Sequence, residues 1–271
     1  MTPHNMKNLK IIMRGAGDLA TGVALRLHRS GFKRLLLLET EHPLAVRRLV
    51  SFSEAVNIGK VSIEGIIAER IDDAGTLEQW LPDNNIPILI DSTGNSIHKL
   101  QPDIVIDAII AKRNIGTEIT DAELVIGLGP GFTAGRDVNC VIETKRGHNL
   151  GRVIYDGSAA PDTGIPGNIG GYTNERLLRA PNAGIFETNC NIGDRVEKGE
   201  CVATVDSSPV IASISGVIRG LLRSATPVDK STKLGDIDPR GKVAFCTTAS
   251  DKAMAVGGGV LEAILNNYNS P

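Results

Sequence analysis

Residues 11–22 read I-I-M-R-G-A-G-D-L-A-T-G, and no other stretch constrains the fold as tightly. A mostly apolar run from Leu9 to Met13, broken only by Lys10, passes straight into Gly15-Ala16-Gly17, and a helical pattern begins at Asp18. Arg34-Leu35-Leu36-Leu37-Leu38-Glu39 then reads as a second buried strand closed by an acid. Strand, glycine turn, helix, strand, acid is the order that a dinucleotide-binding βαβ unit requires. Gly15 lets the strand turn sharply. Gly17 has no side chain, so a pyrophosphate can approach the backbone. The first helical amides, at Asp18 and Leu19, face that phosphate together with the helix dipole. Ala20 stands where a third small residue packs helix on strand. Glu39 follows Gly17 by 22 residues, the place of a carboxylate that accepts from a ribose diol. The candidate cofactor-binding set therefore begins with Gly15, Ala16, Gly17, Asp18, Leu19 and Glu39. The competing readings are a turn kept for packing alone and a solvated acid at a strand end.

Charge and composition narrow the partners. The 271-residue chain carries 29 basic and 31 acidic side chains, a balance that argues against nucleic acid or an anionic membrane surface. Aromatic content of 3% offers little for base stacking. No apolar run approaches transmembrane length. The start leads directly into the first strand, so no signal peptide is expected. Cys140, Cys190, Cys201 and Cys246 form no C-x-x-C pair, which reads as reduced thiols in a cytoplasmic protein without a cysteine zinc site. His4, His28, His42, His98 and His148 never pair at ligand spacing, and no metal is expected.

From 9 to about 128, apolar strands alternate with helical or turn segments. Strands are expected at Leu9–Met13, Leu35–Leu38, Gly65–Ile71, Ile86–Asp91, Ile104–Ile106 and Leu124–Leu128, and helices at Asp18–Ser30, His42–Val50 and Ala74–Leu81. This is an α/β pattern with a Rossmann-like parallel sheet. Ligands of open α/β sheets collect at the carboxyl ends of strands. The loops Asp91-Ser92-Thr93-Gly94, Ala111-Lys112-Arg113-Asn114 and Gly127-Leu128-Gly129-Pro130-Gly131-Phe132 follow such ends. Asp91, Ser92, Thr93, Gly94, Lys112, Arg113, Gly129 and Gly131 thus complete the candidate set, against a reading of ordinary turn chemistry. No triad or paired-carboxylate motif stands out, so catalytic residues are unknown and the chain is not assigned as an enzyme. His98 follows the Asp91 loop and could face the pocket. Cys140, after the Gly129–Gly135 loop, is a candidate thiol handle, but it sits in an apolar run that favours a buried structural role.

Residues 147–175 are too rich in Gly, Pro, Ser and Asn for helix or strand and read as a linker or crossing loop. A repeat follows. Ala180–Val202 aligns with Ala212–Leu234 at a constant offset of 32, with Gly184-Ile185-Phe186 on Gly216-Val217-Ile218 and Val196-Glu197-Lys198 on Val228-Asp229-Lys230. The first copy carries the turn Gly193-Asp194-Arg195-Val196-Glu197-Lys198-Gly199-Glu200. Over about residues 176–240 this resembles the biotinyl/lipoyl-like barrel-sandwich hybrid. That resemblance implies architecture only. Carrier domains of this kind hold their cofactor on a lysine at a hairpin that here reads Asp206-Ser207-Ser208-Pro209-Val210, so no biotin or lipoyl attachment is expected. Residues Ser250–Asn267 read as an amphipathic helix interrupted by Gly257-Gly258-Gly259, which implies either a break or a close helix contact. The expected division is 1–146 for the nucleotide-binding domain, 147–175 for the linker, 176–245 for the barrel and 246–271 for a helix that can pack back on the first domain.

Five motifs occur in order: G-A-G-D-L-A-T-G, G-L-G-P-G-F-T-A-G-R-D, G-I-P-G-x-I-x-G-Y, K-L-G-D-I-D-P-R-G and G-G-G-V-L-E-A-I-L. Together they resemble the accessory proteins of selenium-dependent molybdenum hydroxylase systems, the YqeB type, over nearly the full length. The resemblance implies a maturation role towards a molybdenum hydroxylase client, with NAD(P) or a molybdopterin dinucleotide as the candidate cofactor. Two alternatives stand beside it: an NAD(P)-dependent oxidoreductase and a non-catalytic interaction scaffold whose glycine turn is empty. The sequence is compatible with a homo-oligomer and does not specify one.

Overall fold

A computed structural model describes residues 6–73, 75 and 85–269. Apart from Gly75, the expected helix Ala74–Leu81 lies outside the described residues. The chain divides into two compact units: residues 1–43, 51–162 and 249–271, and residues 44–50 with 163–248. The boundary between the units, at 162/163, falls within the turn-rich stretch 147–175.

The first unit is built on a sheet of nine strands among the described residues, in the order β3-β4-β5-β2-β1-β6-β7-β8-β9. These are β1 (Ile11–Arg14), β2 (Leu35–Glu39), β3 (Lys60–Ile63), β4 (Ile66–Ile71), β5 (Ile86–Ile90), β6 (Ile104–Asp107), β7 (Leu124–Leu128), β8 (Cys140–Ile142) and β9 (Val153–Ile154). β4 to β8 with β1 and β2 run parallel, and the outer strands β3 and β9 are antiparallel edges. The central strands are apolar at almost every position because both sheet faces are covered. Ile11, Met13, Leu35, Leu37 and Ile106 point into one core, and Ile12, Leu36, Leu38, Val105 and Val125 into the other. The strand order reverses at β1, with β2 on one side and β6 on the other.

Helices follow the strands at α1 (Asp18–Arg29), α2 (Glu54–Ile58), α3 (Asn95–Leu100) and α4 (Asp251–Asn269). The expected helix His42–Val50 is not formed. Only a single 3-10 turn occurs there, at Arg48–Val50, because this segment is drawn into the second unit. Val46 accepts from Leu221 N–H at 2.7 Å and Arg48 Nε donates to Leu221 O at 2.7 Å, so its polar groups bond to a strand rather than to a helix of their own. The glycine run of α4 gives a close helix contact, not a break. The helix continues through it, with Gly257 against the Gly22 carbonyl and Val23 of α1.

The second unit holds two four-stranded sheets, β10-β17-β15-β12 and β14-β13-β11-β16. The strands are β10 (Leu177–Arg179), β11 (Gly184–Glu187), β12 (Arg195–Val196), β13 (Cys201–Val205), β14 (Ser208–Ile211), β15 (Gly216–Leu221), β16 (Thr226–Val228) and β17 (Lys233–Asp238). Their pairings are antiparallel. The 32-residue repeat is visible bond by bond. Gly193 N–H donates to Ile218 O at 2.8 Å, and its counterpart Ala225 N–H donates to Phe186 O at 2.8 Å. Gly199 N–H reaches Ala212 O at 2.8 Å, and Ser231 N–H reaches Ala180 O at 2.9 Å. Each sheet therefore draws strands from both copies, and Phe186, Val205, Ile218 and Ile237 fill one core between the copies.

Candidate functional site

Five loops meet at the carboxyl ends of the parallel strands. Gly15 adopts φ +96°, a left-handed conformation that favours glycine, and donates to Leu38 O at 2.7 Å. A Cβ on Gly15 would sit 3.0 Å from Ala108 O, so the turn after β1 presses on the segment after β6. Gly94, after β5, lies against the Arg14 guanidinium, and Gly131, after β7, lies against the Arg113 backbone. Glu39, at the end of β2, accepts the Ala16 N–H at 2.9 Å through one oxygen and the Thr40 N–H at 2.7 Å through the other. The acid is thus held on the glycine turn itself. Gly17 stands before α1, where a Cβ would meet nothing within 4 Å, and α1 has no side-chain cap. Ala16 is buried, whereas Gly17, Asp18 and Leu19 are partly open.

The remaining candidates divide. The Asp91 carboxylate accepts from Gly94 N–H at 2.9 Å, Ser96 N–H at 2.7 Å and Thr93 Oγ1 at 2.9 Å, so it caps α3. Burial pushes its carboxyl up, but these donors outweigh burial and hold it at about 2. Ser92 and Thr93 are exposed beside it, as is His98. Lys112 pairs with Asp162 at 2.8 Å on the surface, and Arg113 is exposed. Gly129 is buried and packed on Thr144. Cys140 is fully buried; desolvation pushes its thiol up to about 12, so it is not a thiolate handle.

Asp91 sets a pH dependence. Its folded value lies below the ordinary 3.8, so its stabilisation is present above 3.8 and is lost as pH falls through about 2. After discounting for solvent screening, about 1 kcal/mol is expected to be at stake. Urea unfolding at pH 5 and pH 3 should show a steeper loss in the natural chain than in Asp91→Ala; equal slopes would refute the capping role.

Three groups at the same edge were not singled out by sequence reasoning. Arg14 and Asp107 end β1 and β6 in matched register and pair at 3.5 Å, 4% and 2% exposed. Thr117 Oγ1 accepts from Arg14 Nη1 and donates to Asp107 Oδ2 at 2.6 Å. Burial pushes the Asp107 carboxyl up, against the pull of Thr117, Ile109 N–H and Arg14. The available signal was one charged residue closing each of two apolar runs, I-I-M-R and I-V-I-D. Lys252, in the first turn of α4, has a lowered pKa, first from burial and then from Arg146, with Asp18, Glu143 and Asp162 opposing. It brings a cation into the field of the helix start at Asp18.

No protein-family model matches the chain. An aspartoacylase family protein of Mesorhizobium loti aligns with a TM-score of 0.28 at 12% identity, covering 84% of this chain and 83% of that one. Succinylglutamate desuccinylase/aspartoacylase of Rhodobacter sphaeroides gives 0.25 at 13% identity, over 84% and 85%. Likeness at that level supports no conclusion on function. In sequence, the chain is 46% identical over 255 residues, 94% of its length, to the uncharacterized protein YqeB of Escherichia coli (strain K12). It spans 47% of that relative. The chain is similar, along nearly all of its length, to about half of YqeB.

Proposed function

We propose that this chain binds a dinucleotide-type cofactor at the Gly15–Leu19 turn and serves as an accessory, maturation factor of a cytoplasmic, selenium-dependent molybdenum hydroxylase system. In this reading the first unit is a Rossmann-like domain. The second is a barrel-sandwich hybrid of the biotinyl/lipoyl-like kind that lacks the attachment lysine. The observation that carries it is the turn. Gly15 is pressed on Ala108, Gly17 is open in front of α1, and the Glu39 carboxylate sits 2.9 Å from the Ala16 amide. These residues fit a pyrophosphate with an adjacent ribose. The α1 amides supply donors, the open Gly17 face supplies room, and Glu39 supplies an acceptor for a diol. NAD(P) would supply hydride chemistry, and a molybdopterin dinucleotide would supply the metal centre of the client. The second contributes the same pyrophosphate, so the turn alone does not separate them.

Gly17→Leu isolates binding from folding. Its φ of −70° is ordinary, and its Cβ direction is empty. Titration calorimetry with NAD, NADP and a molybdopterin dinucleotide should show binding of at least one by the natural chain. A loss of 100-fold or more is expected in Gly17→Leu at unchanged melting temperature, about 2.7 kcal/mol of binding. No heat from any of the three with the natural chain would favour the scaffold reading. An oxidoreductase reading is supported by Lys252, whose depressed pKa near the turn suits a proton donor. Turnover of a carbonyl substrate with NADH that Lys252→Met abolishes would establish it in place of maturation.

A further inference from the structure

The second unit contains a cavity of about 480 Å³, a volume typical of small-molecule sites. Three sequence motifs that the glycine turn does not use converge on it. G-I-P-G-x-I-x-G-Y supplies Gly170 and Tyr172, the repeat turn supplies Lys198, and K-L-G-D-I-D-P-R-G supplies Pro239 and Arg240. The segment Ser213–Ser215, which opens the second repeat copy, forms the remaining wall with Glu175.

The wall is pre-shaped. Ile169 and Tyr172 exchange both backbone hydrogen bonds, at 3.0 and 3.1 Å, and the Asn168 side chain accepts the Gly171 N–H at 3.0 Å. Gly170 lies against Pro239, where a Cβ would come to 3.0 Å of its ring. Arg240 is fixed from below by two bonds to Asp238, at 2.9 and 2.6 Å, with its guanidinium 4.4 Å from the Phe245 ring centroid. Asp238 is 1% exposed, so this anchor is sheltered from solvent. Ser215 Oγ accepts the Lys198 N–H at 2.9 Å and donates to Glu197 at 2.6 Å, which sets the turn that presents Lys198. Glu175 accepts the Thr173 N–H at 2.9 Å, and its carboxyl is held low by its own backbone N–H and by that of Thr173.

The internal repeat provides its own comparison. At an offset of 32, Ser213, Ile214 and Ser215 correspond to Pro181, Asn182 and Ala183, while Arg240 and Glu175 lie outside the two copies. Lys198 corresponds to Lys230. The hairpin 169–172 precedes the repeat and faces only one of the two related positions. The Ser213 and Ser215 hydroxyls therefore stand at only one of two positions that the fold makes alike, and flanking residues add Arg240 and Glu175 there. Structure alone would not demand that asymmetry. Charge defines what fits. Asp238 is shared by Arg240 and Arg219, so the lining keeps the cationic groups of Lys198 and Arg240 together with the Glu175 carboxylate, beside the apolar Ile214 and Pro239.

We propose that this cavity is a second binding site, for a small organic anion that also carries a hydroxyl or ammonium group. Its acidic group lies on Lys198 beside Arg240, and its hydroxyl or ammonium group on Glu175. The site is separate from the glycine turn and stands whether or not that turn binds a nucleotide.

Amide chemical shifts of the full chain test it with three probes: O-phosphoserine, glycerol 3-phosphate and putrescine. The expected result is saturable shifts at 170–175, 198, 213–215 and 240 for the two anions and none for putrescine. Lys198→Ala should weaken both anions about tenfold, the loss of one charge-assisted contact. Glu175→Gln should weaken O-phosphoserine more than glycerol 3-phosphate. Lys230→Ala, the change at the related position, should leave both unaltered. Absence of saturable shifts with either anion, or equal weakening by Lys198→Ala and Lys230→Ala, would overturn the proposal. The result is independent of Gly17→Leu, which leaves this cavity intact.

Discussion

Gly259→Val is expected to destabilise the first unit by about 3 kcal/mol or more, and Gly258→Ala to stabilise it by about 0.5–1 kcal/mol. The two positions are neighbours in α4, so propensity alone would rank both replacements as favourable. Their surroundings differ. A Cβ on Gly259 would overlap the carbonyl oxygen of Gly151 and come within 2.9 Å of Ile142 Cγ2, so backbone and a core strand must both retreat. On Gly258 it would meet nothing within 4 Å. Interiors are packed too densely to absorb a rigid backbone collision. Gly257→Val should resemble Gly259→Val, since its Cβ would fall 2.9 Å from Gly22 O. Calorimetry should show a melting temperature lower by roughly 6–12 °C for Gly259→Val and higher by roughly 1–4 °C for Gly258→Ala. Equal shifts at the two positions would refute the packing described for α4.

Asp107→Ala is expected to cost about 3–5 kcal/mol, because it leaves the Arg14 charge buried without its carboxylate. Arg14 is 4% exposed and, among the described residues, keeps only Thr117 and the Ile115 carbonyl as polar partners after that change. The paired replacement Arg14→Met with Asp107→Leu removes both charges and should cost clearly less than Asp107→Ala alone. Denaturant titration of the single and double variants measures the difference. A double variant as unstable as the sum of the singles would show that the two charges do not act together. The pH slope also has a sign. Asp107 is raised in the folded state, so its contribution is largest below 3.8 and is lost as pH rises through its folded value. That is opposite to Asp91, and the two variants should tilt the acid side of the stability curve in opposite directions.

The parallel sheet was legible because its strands are apolar runs ended by turn residues. Ile104–Ile106 and Leu124–Leu128 were placed within a residue of the observed strands. The repeat is legible because Gly184-Ile185-Phe186 recurs as Gly216-Val217-Ile218 and Val196-Glu197-Lys198 as Val228-Asp229-Lys230; the structure adds left-handed turns at Gly193 with Ala225 and at Gly199 with Ser231. Helical spacing over His42–Val50 misleads because it cannot register a distant strand edge, and Leu221 supplies the bonds that decide the segment. Asp91 illustrates the limit for sites. A carboxylate at a strand end reads the same whether it awaits a ligand or caps the next helix, and only the bond to Ser96 N–H separates the cases. Arg14, Asp107 and Thr117 were missed because the triad is assembled across positions 14, 107 and 117, with no local pattern.

The first unit is interrupted by the second and resumes with α4, which packs on α1 and on β7, β8 and β9. On the ribosome, residues 249–269 emerge after every strand they cover. Until then the apolar face of α1 and of those strands stays open to water. At roughly 5–20 residues per second, the interval spent making residues 163–248 lasts several seconds. A nascent chain arrested with residues up to 248 outside the exit tunnel, and 249–269 still within it, should therefore leave the sheet accessible to chaperones that shield apolar surface, while the second unit, fully emerged by then, is already closed.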